Sequence, residues 1–248
     1  RPGLYRHVLV LDFKSLYPSI IRTFKIDPYG LAEGLKEGAQ PEDLLPGFNH
    51  AIFSRSKTIL PELIETLWAA RDQAKQVNNA ALSQAMKIIM NSFYGVLGSN
   101  VCRFYDQRLS SSITLRGHEI LTKTGECIEE NFGFKVIYGD TDSVFVWLGD
   151  DFPVAEANAK GEALACFLNR WWRDNLQQRF QIDTQLEIEY ETHYSRFLMP
   201  TIRHSEKGSK KRYAGLKRFP DGTERMVFKG LENVRTDWTP LARELQEQ

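Results

Sequence analysis

The chain has 248 residues, 42% hydrophobic and 26% charged, with 32 basic side chains against 32 acidic ones and a net charge of zero. This is an ordinary globular mixture, long enough for one large domain or two small ones, and it lacks the overall basic footprint of a general nucleic-acid binder. Cys102, Cys127 and Cys166 are scattered without CxxC pairing, the five histidines lack metal-ligand spacing, and neither a signal pattern nor an apolar run of about 18 residues is present, which excludes a disulfide scaffold, a Cys/His metal site and a membrane helix. The cysteine usage points to reduced thiols in a cytoplasmic protein.

In chain order, residues 7–13 (HVLVLDF) read as a strand covered on both faces. SLYPSII follows, with Pro18 placed to open a helix at its first position. Residues 27–55 are dense in Gly and Pro punctuation and read as irregular. Residues 58–77 and 81–96 read as two helices in an antiparallel pair, the first striped by Leu60, Leu63, Ile64, Leu67 and Trp68. A helix at 107–131 ends at Gly133, FKVIY and SVFVWL pair around GDTD, and a long helix covers 154–178. In LEIEYE (186–191) Leu186, Ile188 and Tyr190 alternate with Glu187, Glu189 and Glu191, and short strands are predicted near 197–202, 210–217 and 225–229. The pattern predicts an α+β fold: an antiparallel sheet with packed helices and an inserted helical hairpin. The N-terminus starts just before a strand and the C-terminus stops inside a helical pattern, so both ends read as cut.

The chemistry-bearing residues come in two sets. Asp12 ends the first strand, and Asp140 and Asp142 sit in a hairpin turn, where a scaffold holds side chains in fixed positions. If these carboxylates converge, their repulsion raises at least one pKa unless a cation lies between them, and hard divalent ions such as magnesium take oxygen ligands. On the helical pair, Arg71 and Lys75 share one face, as do Lys87, Asn91 and Tyr94. Cations of this kind suit a triphosphate, and an amide and an aromatic ring suit a base pair. Read singly, GDTD is an ordinary turn and Arg71 and Lys75 an ordinary solvated face.

Together the residues resemble a known family. DFKSLYPSII (12–21), KIIMNSFYG (87–95) and YGDTDS (138–143) look like the three polymerase motifs of family B DNA polymerases, in the right order. KKRYAG (210–215) resembles the family's template–primer motif, and RDQAK (71–75) fits its RxxxK fingers pattern. The wording around the motifs resembles bacterial members, notably LYPSIIRTF, ETHYSRFLMPTIR and FKGLENVRTDWTPLA. The resemblance spans nearly the whole chain but covers only palm and fingers, without N-terminal, 3′–5′ exonuclease or thumb domains.

That resemblance implies a DNA-directed DNA polymerase core, with palm at 1–55 and 99–248 and fingers at 56–98. It implies two magnesium ions, primer–template DNA and dNTPs, a sliding clamp engaged through regions outside this stretch, no membrane, and a bacterial cytoplasmic setting at the nucleoid. Asp12 and Asp142 would be the main metal ligands, Asp140 a neighbour in a weaker role, and the Phe13 carbonyl would complete a metal shell. Ser15 and Leu16 would border the triphosphate, and Tyr17 would lie under the sugar and block a 2′-hydroxyl. Arg71, Lys75, Lys87 and Asn91 would hold the triphosphate, and Tyr94 and Gly95 would meet the nascent base pair. Lys210, Lys211, Arg212 and Tyr213 would contact primer–template, while Glu189 reads as an exposed strand residue that could approach the metals, and Arg103, Arg108 and Arg116 could contact backbone phosphates but read as surface in preference. Two rival readings stand beside this one. One is a fragment that binds nucleotide or primer–template without useful catalysis, and the other is a metal-dependent nuclease, against which the triphosphate-binding cations speak.

Overall fold

In a computed structural model, residues 2–201, 208, 211–219 and 221–247 are described. They form a mixed helical and antiparallel-sheet fold, as the α+β expectation requires. The chain separates into two compact units, one of Arg1–Asp12, Leu121–Leu168 and Ile188–Gln248, the other of Phe13–Ile120 and Asn169–Glu187.

The first unit is built on a six-stranded sheet. In chain order its strands are β1 (Gly3–Phe13), β4 (Lys135–Asp140), β5 (Ser143–Trp147), β6 (Ile188–Met199), β7 (Tyr213–Arg218) and β8 (Glu224–Lys229), and across the sheet the order is β4-β5-β1-β6-β7-β8. One face carries an apolar cluster of Val8, Val10, Phe145, Phe197 and Tyr213 with neighbours. Its rings meet at 5.2–5.3 Å for Phe145–Tyr213, Phe197–Tyr213 and Phe145–Phe197, in the tilted and edge arrangements that ring quadrupoles favour. Gly215 lies beneath the Tyr194 ring, where a Cβ would come within 2.4 Å of it, so no larger residue fits there. His7 and His193 lie side by side with stacked rings, His7 Nδ1 and His193 Nε2 3.3 Å apart.

The second unit holds α1 (Leu16–Phe24), α2 (Pro28–Gly34), a two-stranded ribbon of β2 (Leu44–Pro46) and β3 (Ile52–Ser54), and the helical pair α3 (Leu60–Gln76) and α4 (Ala80–Leu97). Asp27, 1% exposed, ties two helix starts together: its carboxylate accepts from Gly30 N in α2 and from Leu60 N in α3, both at 2.7 Å. Two long helices, α5 (Gln107–Phe132) and α6 (Ala157–Phe180), each lend one half to either unit, and α7 (Pro240–Glu247) closes the first. Arg116 on α5 is the hub of the second unit. Its guanidinium lies over the rings of Phe24, Phe48 and Phe180 and donates to Glu119 and to the Pro46 carbonyl.

Several sequence expectations need correction. Pro18 occupies the third, not the first, position of α1, because the helix already begins at Leu16. Residues 27–55 are not wholly irregular: Pro28 opens α2 and the ribbon follows. The strands read at 186–191 and 197–202 are parts of one 12-residue strand, β6. Arg116 is buried, 5% exposed, and not a surface residue, since the aromatic shell around it is assembled from distant segments.

Two measurable consequences follow from these cores. Burial pushes the Glu119 carboxyl up, but Arg179 and Arg116 together hold it below its ordinary value. Arg116→Ala is therefore expected to cost about 3–5 kcal/mol of stability, and Arg116→Lys to recover little, because an ammonium neither stacks nor forks; urea denaturation checks both. For the histidine pair, burial lowers both pKa values, that of His193 to about 4 with the neighbouring His7 adding to the effect. In the unfolded chain both imidazoles protonate near 6.5. Below that pH the unfolded state binds more protons, so stability is flat above about pH 6.5 and falls as pH drops towards 4. His193→Gln is expected to flatten that slope in pH-resolved thermal melts.

Candidate active site

The carboxylates are placed by strand register. In the antiparallel ladders Asp140 stands opposite Ser143 and Ser143 opposite Asp12, one row across β4, β5 and β1. The next row on that face is Tyr138, Phe145 and Val10, so alternation sets a polar row at the edge of the aromatic cluster. Ser143 Oγ donates to Asp12 Oδ1 at 2.7 Å and lies 3.5 Å from Asp142 Oδ1. Asp142 follows in the turn, reached through Thr141 at φ 52, and its amide donates to the Asp140 carbonyl at 2.5 Å. A non-glycine residue in the left-handed region is strained by roughly 1–3 kcal/mol, and such strain persists where surrounding structure over-determines it.

The repulsion inferred from the sequence is present. Burial, then the Asp12 charge and more weakly Asp140, push the Asp142 carboxyl up to about 6. Asp140 faces the opposite sign, with Lys211 Nζ 3.9 Å from its Oδ1. The Lys211 backbone N–H donates to the Tyr138 hydroxyl at 2.8 Å, fixing the start of β7 beside the turn. Glu191 and Thr192 of β6 line the same groove, which is about 580 Å³. Ser143, the last residue of YGDTDS, carried no signal of this role in the sequence, because its place opposite Asp12 depends on the pairing of β5 with β1.

Other predicted residues fall as follows. Lys210 lies outside the described residues. Arg212 is committed to an ion pair with Glu232, which Gln246 also holds at 2.7 Å, so its guanidinium is an internal strut. Tyr213 is 9% exposed within the aromatic cluster. Glu189 is exposed on β6.

In the second unit, Ser15 takes φ 47 ahead of α1, and Leu16 is 3% exposed, so it can meet a ligand only through its backbone. The helix start presents amides with no intrahelical acceptor, except at Pro18, which has none, and such a start suits an anion. The rings of Tyr17 and Tyr94 meet, centroids 4.7 Å apart. Lys75, Lys87 and Asn91 are exposed, with Lys75 Nζ 3.4 Å from Asp72. Arg71 has its Nε and Nη1 buried with no hydrogen-bond partner among the described residues. Gly95 is exposed on α4, and a Cβ there would meet nothing within 4 Å.

Residues 1–248 match the model of DNA polymerase family B. The chain belongs to DNA polymerase family B. It is 58% identical over 248 residues to DNA polymerase II of Escherichia coli (strain K12), covering all of this chain and 31% of that protein. It is 32% identical over 255 residues to a DNA polymerase of Thermococcus gorgonarius, covering 98% of this chain and 30% of the relative. It is 34% identical over 258 residues to the DNA polymerase alpha catalytic subunit of Oryza sativa subsp. japonica, covering 99% of this chain and 15% of the relative. The chain thus spans less than a third of each of these relatives. Among the described residues no helix is long and apolar enough to cross a membrane.

Family B polymerases use divalent metal ions, which take oxygen ligands. Among the described residues no three His, Cys, Asp or Glu side chains gather at a single point. The two-carboxylate set still fits a hard cation: Asp12 and Asp142 are oxygen donors, and their repulsion is the kind that a divalent ion relieves. Asp142→Asn is therefore expected to raise the melting temperature of the metal-free protein, because it removes a buried charge held beside Asp12, and to abolish any further rise on adding magnesium. Melting curves with and without magnesium or EDTA check both parts.

Proposed function

We propose that this chain is the catalytic core of a DNA-directed DNA polymerase, joining dNTPs to a primer 3′-hydroxyl on a DNA template in the bacterial cytoplasm. The observation that carries this reading is the row of Asp140, Ser143 and Asp12 with Asp142 beside it. In this proposal residues 1–55 and 99–248 form the palm and 56–98 the fingers.

Asp12, Asp142 and the Phe13 carbonyl would hold two magnesium ions, which when bound supply charge neutralisation to the attacking and leaving oxygens. Ser143 positions the Asp12 carboxylate by donating to it. Asp140, beside Lys211, tunes the charge of the turn and is not a main ligand. Arg71 would spend its unpartnered guanidinium nitrogens on triphosphate oxygens, joined by Lys75, Lys87 and Asn91 and by the amides of Ser15 and Leu16. Phosphoryl transfer asks for such positioning and needs no protein nucleophile. Tyr17, braced against Tyr94, is stiff enough to exclude a 2′-hydroxyl from the sugar position. Gly95 costs its helix about 1 kcal/mol relative to alanine, and a Cβ there would meet nothing within 4 Å among the described residues. A base pair lying against that face would use the open space. Lys210, Lys211 and Tyr213 would meet primer–template, whereas Arg212 would act indirectly through Glu232.

Primer extension at low salt with magnesium tests the proposal. Asp12→Ala is expected to slow extension by roughly a thousandfold or more, about 4 kcal/mol in the barrier, with DNA binding largely kept. Tyr17→Ala is expected to extend while incorporating ribonucleotides more readily. Robust extension by Asp12→Ala, or sugar discrimination unchanged in Tyr17→Ala, would remove the assigned roles.

A further inference from the structure

Arg22 stands in the last turn of α1 and is 9% exposed. Its Nη2 donates to Gln185 Oε1 at 2.8 Å and also to the Glu65 carboxylate on α3. Its guanidinium lies over the Trp68 ring, 4.8 Å from the centroid. Glu65 and Trp68 are one turn apart on a single face of α3, so the head group takes hold of that helix at two points. Gln185 is fixed in turn, because its backbone N–H donates to Thr23 Oγ1 at 2.9 Å. The guanidinium is thereby held from behind as well as in front. All of these residues belong to the second unit, in which α1 packs against α3.

The turn of α3 that follows carries Arg71. It lies three residues beyond Trp68, about 4.5 Å further along the helix axis and on the same face. Arg71 Nε and Nη1 are buried, so its head group has little room to adjust and its reach is set by where α3 sits. The start of α1 at Ser15 and Leu16 offers backbone amides to the same anion in the proposed function. Resting on that polymerase reading, we propose that Arg22 is a positioning residue that holds α1 and α3 in register, so that the amides at the start of α1 and the Arg71 guanidinium meet one triphosphate. Arg22 touches neither the nucleotide nor the reacting atoms and acts through Arg71. Arg116 in the same unit is the contrast: its partners are Phe24, Phe48, Phe180, Glu119 and the Pro46 carbonyl, none of them on α3.

Single-turnover primer extension tests this, because it gives the dNTP dissociation constant and the maximal rate separately. Arg22→Gln is expected to raise the dNTP constant about five- to tenfold, the loss of a desolvated cation–π contact together with an ion pair, and to leave binding of primed DNA unchanged. Arg22→Lys is expected to recover only part of the loss, since an ammonium cannot serve Gln185, Glu65 and Trp68 together. In an Arg71→Ala background Arg22→Gln is expected to weaken dNTP binding no further. Glu65→Gln alters a carboxylate whose side chain is 62% exposed. It is expected to raise the dNTP constant about two- to threefold with the melting temperature unchanged. Arg116→Lys is expected to lower the melting temperature and leave the dNTP constant alone. An Arg22→Gln protein that melts lower yet binds dNTP as wild type does makes Arg22 a strut of the fold and overturns the proposal, as do effects of Arg22→Gln and Arg71→Ala that add in full. Should Arg22→Gln fail to fold, Glu65→Gln decides, and an unchanged dNTP constant there overturns the proposal. The two readings fail separately: wild-type protein that extends no primer ends the polymerase reading, whereas extension with equal dNTP constants in wild type and Arg22→Gln ends only the clamp.

Discussion

Antiparallel register across β4, β5 and β1 is the constraint on which the rest of the site depends. Asp140, Ser143 and Asp12 share a row only while Val10 faces Phe145 and Phe145 faces Tyr138. A slip of one residue would turn the polar row to the opposite face and bring the aromatic side chains with it. The cluster of Val8, Val10, Phe145, Phe197 and Tyr213 therefore stabilises more than the sheet. Its burial sets the energetic cost of misplacing the carboxylates.

That fixed placement explains why like charges are tolerated at the turn. Asp142 lies half-buried beside Asp12, with its pKa raised to about 6 by burial and repulsion, and Thr141 adds a strained left-handed dihedral. Each feature costs stability in the isolated protein. In the proposed polymerase reading both would serve a bound cation, because oxygens already held in place need little reorganisation. The neighbouring Asp140 differs in having a cation beside it, Lys211 Nζ at 3.9 Å.

Arginines in the second unit show how burial decides the role of a charge. Arg116 is enclosed by three aromatic rings and by Glu119, and every contact of its head group is internal. Arg71 also has buried nitrogens, but its Nε and Nη1 lack hydrogen-bond partners among the described residues. Buried guanidinium nitrogens without acceptors are expensive, which is why the proposed function gives these two a triphosphate. Arg212 in the sheet unit resembles Arg116 more than Arg71, since Glu232 holds it.

The sequence by itself determined the element types and the chemistry. The continuous apolar run of HVLVLDF, the strand pattern of SVFVWL, helical spacing in 58–96 and three ordered motifs were enough to place Asp12 at a strand end and Asp140 and Asp142 in a hairpin turn, and to point to the family. These signals are local, and local backbone geometry follows from a few neighbouring residues. Tertiary structure alone decided what depends on contacts distant in sequence: the row through Ser143, the unequal environments of Asp140 and Asp142, the joining of two read strands into β6, and the burial of Arg116 and Tyr213. It also set Arg22 between Gln185 and Trp68, because an arginine reads the same in a sequence whatever distant segments fold against it. Burial and charge pairing belong to the folded arrangement, and no single stretch of the chain contains them.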